Sequence, residues 1–330
     1  MILSTLGLGT YLGPATPEAD AAYTQSATAF HAAGGNVFDT AANYRDGRSE
    51  RALGAAFRTL PRDRFFVSTK AGYIPMPETP DPEEGPRSWF HRVYEKPGIL
   101  APEDLVDGCH AMTPRYLAHQ LEISRAALGV ETVDLFHLHN PETQLLSLGA
   151  ERFYEQLQRA FEACEGLVAE GKIRAYGVAT WNGFRLPEGQ PGHLSLEQVL
   201  GAALSAGGQQ HHFRWLQLPL NLAMPEAFIT PTQSFRGQQM TALEAAQAAG
   251  LSVQTSASIM QSRILEQLPE GFPEALGVRT PAQAALQFTR SCPGVTTALC
   301  GMARVEHVLE NSLVLDLPKL SPAALDSLFA

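Results

Sequence analysis

Short apolar, β-rich runs alternate along this chain with longer stretches able to form helices. Eight runs read as strands: Thr5–Tyr11, Asn36–Ala41, Phe65–Ala71, Asp134–His139, Ala175–Trp181, Trp215–Leu220, Ser252–Ser258 and Thr296–Gly301. Each is followed by a helix-compatible segment, and such alternation calls for a parallel sheet. Helix starts are marked locally. Thr16-Pro17, Thr113-Pro114 and Thr280-Pro281 each place a hydroxyl N-cap before a proline. Thr241-x-x-Glu244, Ser195-x-x-Gln198 and Thr280-x-x-Gln283 fit reciprocal capping boxes, and Gly34-Gly35 and Gly129 stand where C-terminal caps belong. A doubly wound open sheet would want a glycine-rich phosphate loop after its first strand, but the glycines at 7, 9 and 13 have the wrong spacing. The pattern predicts an α/β fold of the (β/α)8 TIM-barrel class, with residues 1–330 as a single domain.

One connection is too long for a turn. Residues 72–112 are rich in proline and acid, with Tyr73, Trp89, Phe90 and Tyr94 interleaved, and a loop of this length usually serves as a lid or binding wall. The connections Asn182–Leu194 and Asn221–Met240 leave from the same barrel end, and Met224, Phe228 and Phe235 are expected to help roof a pocket there. The chain has 330 residues, enough for one barrel of roughly 250 residues plus insertions. A formal net charge of −10 without any Lys/Arg-rich run argues against nucleic acid or an anionic membrane as partner. No apolar run approaches the ~18 residues of a membrane span, and the first residues read as a strand rather than a signal peptide. The four scattered cysteines form no C-x-x-C pair, which fits a reduced cytoplasmic protein.

Candidate chemistry gathers at the ends of the predicted strands. Asp39, Lys70 and His139 close their runs, and Tyr44 follows Asp39 by five positions. Barrel enzymes build their sites on that face. A phenol titrates near ~10 unaided, and an adjacent ammonium lowers that value by stabilising the phenolate. The set of acid, phenol, lysine and imidazole therefore reads as a proton-transfer device. Two rivals arise from the same residues. His137 and His139 lie two apart, on one strand face, and could bind zinc in a metal-dependent hydrolase. The later strands supply no further His, Asp or Glu, so His137 is expected as a core residue below His139 and no metal is assigned. Lys70 could form a Schiff base, but the neighbouring acid and phenol favour a charged partner.

At this point the chain resembles the aldo-keto reductase superfamily, from Gly7 to about Asn311. The opening strand through Gly9, Thr10 and Tyr11, the Asp39-to-Tyr44 spacing, Lys70 after a strand and His139 in an Asp-Leu-aromatic-x-x-His pattern all match. The resemblance implies Tyr44 as general acid, Lys70 lowering its pKa, Asp39 paired with Lys70, and His139 orienting a substrate carbonyl. It also implies a nicotinamide cofactor, NADPH with NADH possible, that touches Gly9, Thr10, Tyr11 and Asp39. Gln217 fits the family's carboxamide-binding glutamine; Ala179 and Thr180 replace Ser and Asn. Thr255, with Ser256 and Ser258 after it, stands where many members carry a stacking tyrosine. The C-terminal segment contributes Gly301, Arg304, His307, Glu310 and Asn311, with Arg304 as its one strong cation for a 2′-phosphate. The substrate is expected to be a small carbonyl compound or alcohol bordered by Tyr11, Trp89, Cys109, His110 and Asn140; the alternative for Cys109 is a small buried hydrophobe. A cofactor-binding subunit of a larger assembly is the non-enzymatic alternative.

Overall fold

The computed structural model describes residues 1–75 and 83–328, and all eight runs form strands of one closed barrel. Among the described residues ten strands occur: β1 (Leu6–Gly9), β2 (Val37–Asp39), β3 (Phe66–Ala71), β4 (Val133–His139), β5 (Ile173–Ala179), β6 (Phe213–Pro219), β7 (Gln233–Phe235), β8 (Gln238–Met240), β9 (Ser252–Ser256) and β10 (Val295–Gly301). Around the barrel they run β1-β10-β9-β6-β5-β4-β3-β2, every neighbour parallel, while β7 and β8 form a separate antiparallel hairpin. β2 and β4 are buried at every position because helices cover the outside and packed side chains fill the inside. The helix Ala150–Ala169 shows how the cover works: it buries Phe153, Leu157, Ala160, Phe161, Cys164 and Leu167, one stripe at three- and four-residue spacing.

The N-caps form as expected at Thr16, Thr113 and Thr280, each hydroxyl accepting from a first-turn N–H. Among the three expected capping boxes, Thr241–Glu244 is reciprocal. Gln283 instead spends its side chain on the Arg279 N–H and the Glu310 carbonyl, tying two helices together. Gly177 is required where β5 meets β6. A Cβ there would lie 2.3 Å from the Trp215 carbonyl oxygen and 2.9 Å from His137 Nδ1, so any side chain would push the strands apart.

The expected roof of Met224, Phe228 and Phe235 is not formed. None of the three lines the main cavity; Phe235 is buried in the core, and Phe228 packs edge-on to Phe288. The β7–β8 hairpin folds back onto the barrel flank, where Gln233 holds the Leu196 N–H and the Phe184 carbonyl. The long loop is also packed in large part. Tyr94 is buried against the rings of Trp89, Phe90 and Tyr116, and bridges at Tyr73–His110 and Val106–His110 close its base. Its residues 76–82 lie outside the described part of the chain. No helix among the described residues is long and apolar enough to cross a membrane.

Candidate active site

A cavity of about 540 Å³ opens at the C-terminal ends of the barrel strands. Asp39, Tyr44 and His139 line it, and Lys70 lies beneath, fully buried. Lys70 donates to Asp39 Oδ2 at 2.6 Å and to the Thr40 carbonyl at 2.8 Å, and its ammonium stands 4.8 Å from the centre of the Tyr44 ring. The Tyr44 and His139 rings meet edge to face at 5.7 Å. The four residues predicted from strand ends thus converge.

Asp39 is held by more than Lys70. Its Oδ1 accepts from Ser68 Oγ at 2.7 Å and from Gln217 Nε2 at 2.9 Å. Gln217 also donates to Gln254 Oε1, and Gln254 reaches back to Ser68. Four strands therefore contribute to one closed ring of hydrogen bonds below the cavity. His137 joins it, its Nε2 lying 3.2 Å from Gln254 Oε1. No group of three His, Cys, Asp or Glu among the described residues is arranged to hold a metal.

The electrostatics follow from burial. Burial pulls the Lys70 ammonium down, but Asp39 and Tyr44 outweigh it, and its pKa stands above the ordinary lysine value. A lysine that stays protonated is no Schiff-base nucleophile. For Tyr44 the expected lowering is not the net result. Burial raises the phenol pKa, and Lys70 opposes the rise without cancelling it. His139 is held well below the usual imidazole range by burial and then by Lys70, so it is neutral at pH 7. His137 and His110 are lowered to about 4, burial again the first cause.

Those buried imidazoles make stability pH-dependent. The unfolded chain takes up protons near pH ~6.5, whereas folded His110 and His137 resist until about 4. Their contribution is complete above ~6.5 and is lost as pH falls through that window, about 3 kcal/mol for each. Glu50 and Glu142, raised by burial, act in the opposite sense over the same window, gaining stability as pH falls towards ~4.5 and offsetting part of the loss. Urea unfolding at pH 7 and pH 4.5 should show a net loss at the lower pH, since His139 adds to the two imidazoles; a gain at the lower pH would refute the assignment.

His110 does not border the cavity. It lies behind His139, its Nε2 2.7 Å from the His139 carbonyl oxygen and its Nδ1 2.9 Å from Gln144 Nε2. Gly72 makes room for this contact, since a Cβ there would sit 2.7 Å from His110 Nε2. Cys109 is exposed and away from the cavity, neither a pocket wall nor a buried hydrophobe, because the tight turn at Asp107 and Gly108 swings it outward. Trp89 is occupied by packing against Tyr94. Asn140 and Tyr11 do line the cavity, joined by Tyr73 from the long loop expected as a wall, and by Asn43 and Trp181, which sequence reasoning did not assign. Asn140, in a left-handed conformation at φ 46°, donates from Nδ2 to the Tyr73 hydroxyl at 3.3 Å.

On the other side of the mouth the cavity runs past Gly9, Thr10, Thr180, Gln217, Ser256, Ser258 and Gly301. Thr255 is not among them. It is fully buried on the strand face opposite Gln254 and Ser256, as alternation along β9 requires. Asn311 is buried beside Cys300, and its Oδ1 and Ser258 Oγ are buried oxygens without a protein partner. Glu310 accepts from Thr280 Oγ1 at 2.8 Å. Arg304 stands at the N-cap position of the helix Val305–Ser312 without a side-chain cap bond and is exposed, with Nη2 2.5 Å from His307 Nε2. The position after Tyr44 is also unusual. Arg45 adopts φ 51°, yet its buried guanidinium is fixed by the Pro14 carbonyl and by Asp20, which pins the turn carrying Tyr44 to the β1 loop.

A sequence model of the aldo/keto reductase family matches residues 5–186. This chain belongs to that family. D-threo-aldose 1-dehydrogenase of Pseudomonas sp is 35% identical over 148 residues, 45% of this chain and 40% of that protein, so the match spans less than half of that relative. A putative voltage-gated potassium channel subunit beta of Schizosaccharomyces pombe is 23% identical over 314 residues, 88% of this chain and 78% of that one. An aldo/keto reductase from Klebsiella pneumoniae, solved in complex with NADP and acetate, superposes with a TM-score of 0.66 at 25% identity, covering 99% of this chain and 90% of the other.

Proposed function

We propose that this family member is an NAD(P)H-dependent oxidoreductase that interconverts small carbonyl compounds and alcohols, with Tyr44 as its general acid and base. The observation that carries the reading is Tyr44 facing the cavity with charged Lys70 beside its ring and neutral His139 at its edge. A bound nicotinamide would supply or accept the hydride. In reduction Tyr44 gives its proton to the developing alkoxide, while His139, neutral at neutral pH, donates a hydrogen bond to the same oxygen. Asp39 keeps Lys70 charged and in place. In oxidation the phenolate takes the proton back, and nothing in the arrangement favours one direction.

The β6–β9–β10 side is suited to the cofactor. Gln217 and Thr180 would hold the carboxamide, while the unpartnered Ser258 and Asn311 oxygens offer acceptors to the remainder. Arg304, exposed at a helix N-terminus, would pair with a 2′-phosphate, and we assign NADPH as the preferred cofactor. Arg304→Ala should weaken NADPH binding by roughly ten- to a hundredfold, the ~1.5–3 kcal/mol range of hydrogen bonds to charged groups, while barely changing NADH. Fluorescence titration of both cofactors decides it, and equal losses would make Arg304 structural. The intact Asp39–Tyr44–Lys70–His139 set favours turnover over a purely cofactor-binding subunit, and a cytoplasmic location fits the reduced cysteines. NADPH consumption with a generic aldehyde tests the activity directly; no turnover with any aldehyde or alcohol would refute it.

A further inference from the structure

Two polar side chains lie inside the barrel where apolar ones would be cheaper. Interior layers of this fold are filled mainly by branched apolar residues, and a buried polar group is costly unless its partners are supplied. Yet Gln254 and His137 are both fully buried there, and neither lines the cavity. The proton-transfer mechanism uses neither of them. Gln254 on β9 is the register partner of Gln217 on β6, and His137 on β4 is the register partner of Lys70 on β3. Around the barrel β4 and β9 stand three steps apart, so His137 meets Gln254 across the interior, with Nε2 3.2 Å from Gln254 Oε1.

Donors and acceptors in this group can be arranged in one way only. Asp39 is paired with the Lys70 ammonium, and a carboxylate can only accept. Gln217 must therefore turn its nitrogen towards Asp39, and Nε2 donates to Oδ1 at 2.9 Å. The second hydrogen of that nitrogen goes to Gln254 Oε1 at 3.0 Å. Gln254 is fixed in turn, its own Nε2 donating to Ser68 Oγ at 3.4 Å while Ser68 donates to Asp39. His137 then carries its proton on Nε2, because the oxygen it meets is an acceptor. Two donors thus converge on Gln254 Oε1. A single bond to Asp39 would leave the Gln217 amide free to swing about it; the second, to Gln254, sets its plane. Both amide hydrogens of Gln217 are now used, and among the described residues its Oε1 has no protein partner. Gln217 lines the cavity, so that oxygen is what its side chain offers to a ligand.

Resting on the nicotinamide reading above, we propose that Gln254, backed by His137, is a positioning residue for the cofactor ring. It acts through Gln217, holding that amide in the plane and polarity in which only an acceptor faces the cavity. A nicotinamide is then selected through the N–H of its ring amide, and a ring substituent without a donor is disfavoured.

The test is a binding experiment and needs no turnover. NADP⁺ and NAD⁺ are titrated by calorimetry beside their 3-acetylpyridine analogues, in which a methyl group replaces the amide nitrogen. The adenosine fragments 2′,5′-ADP and ADP, which lack the ring, serve as controls. Wild type should bind the better dinucleotide about tenfold more tightly than its analogue, the scale of one hydrogen bond. In Gln254→Met that preference should largely vanish through weaker binding of the dinucleotide, while the fragment binds as it does to wild type. His137→Leu, which removes one of the two donors on Gln254 Oε1, should lose part of the preference, and it supplies the test if Gln254→Met does not fold. A wild type that does not distinguish dinucleotide from analogue overturns this inference alone, and so does a preference unchanged in the variants. A fragment affinity that falls as far as that of the dinucleotide makes Gln254 a packing residue and also overturns it. A wild type that binds none of these molecules overturns the cofactor reading and this inference with it.

Discussion

Replacing Tyr44 by phenylalanine should remove nearly all carbonyl turnover while leaving cofactor affinity close to wild type. The ring keeps its edge contacts with Tyr11 and His139, so only the hydroxyl goes. Loss of general acid catalysis costs ~10²–10⁴-fold, and here no neighbouring group can take over: His139 is neutral and Lys70 is committed to Asp39. The wild-type pH profile should agree. With the Tyr44 pKa raised above the ordinary phenol value, reduction should persist to strongly alkaline pH, and oxidation should keep rising as pH rises, because it needs the phenolate. Steady-state kinetics of Tyr44→Phe on one aldehyde, with cofactor titration as control, are sufficient. Turnover near wild type would end the mechanism.

Lys70→Met should cost stability as well as activity. Lys70 and Asp39 form a buried pair at 2.6 Å, and methionine fills the space of the alkyl stem while removing the ammonium. Asp39 would then hold a buried charge with the Ser68 and Gln217 donors but no cation. Breaking a buried pair by removing one partner typically costs ~3–5 kcal/mol. The double variant Lys70→Met, Asp39→Asn removes both charges and should recover much of the stability but none of the activity. Urea denaturation of the single and double variants measures this. A single variant as stable as wild type would mean that the pair is solvent-relaxed rather than buried.

The barrel was legible because its cause is local and repeated. Eight apolar runs, separated by capped helices, leave few ways to bury both faces of a parallel sheet. The four reactive residues were legible for a related reason: each stands at or just after a strand end, and strand ends of a parallel barrel must share one rim. The ring of Ser68, Gln217 and Gln254 was less visible, although Ser68 lies two residues before Lys70 and so shares its strand face. Gln217 was assigned to a cofactor; that it also holds Asp39 depends on the register of β6, β9 and β3 across the barrel.

What the sequence by itself determined is the fold class and the convergence of Asp39, Tyr44, Lys70 and His139, because periodicity and strand-end position are properties of neighbouring residues. What only the tertiary structure decided is which loop residues reach the cavity and how the site titrates. Cys109 and Trp89 turn away and Tyr73 and Trp181 turn in, according to how loops distant in sequence pack on one another. The sign of the Tyr44 shift was decided in the same way. An adjacent ammonium lowers a phenol and burial raises it; chain order reveals the ammonium, but only the packed structure shows that burial is the larger effect.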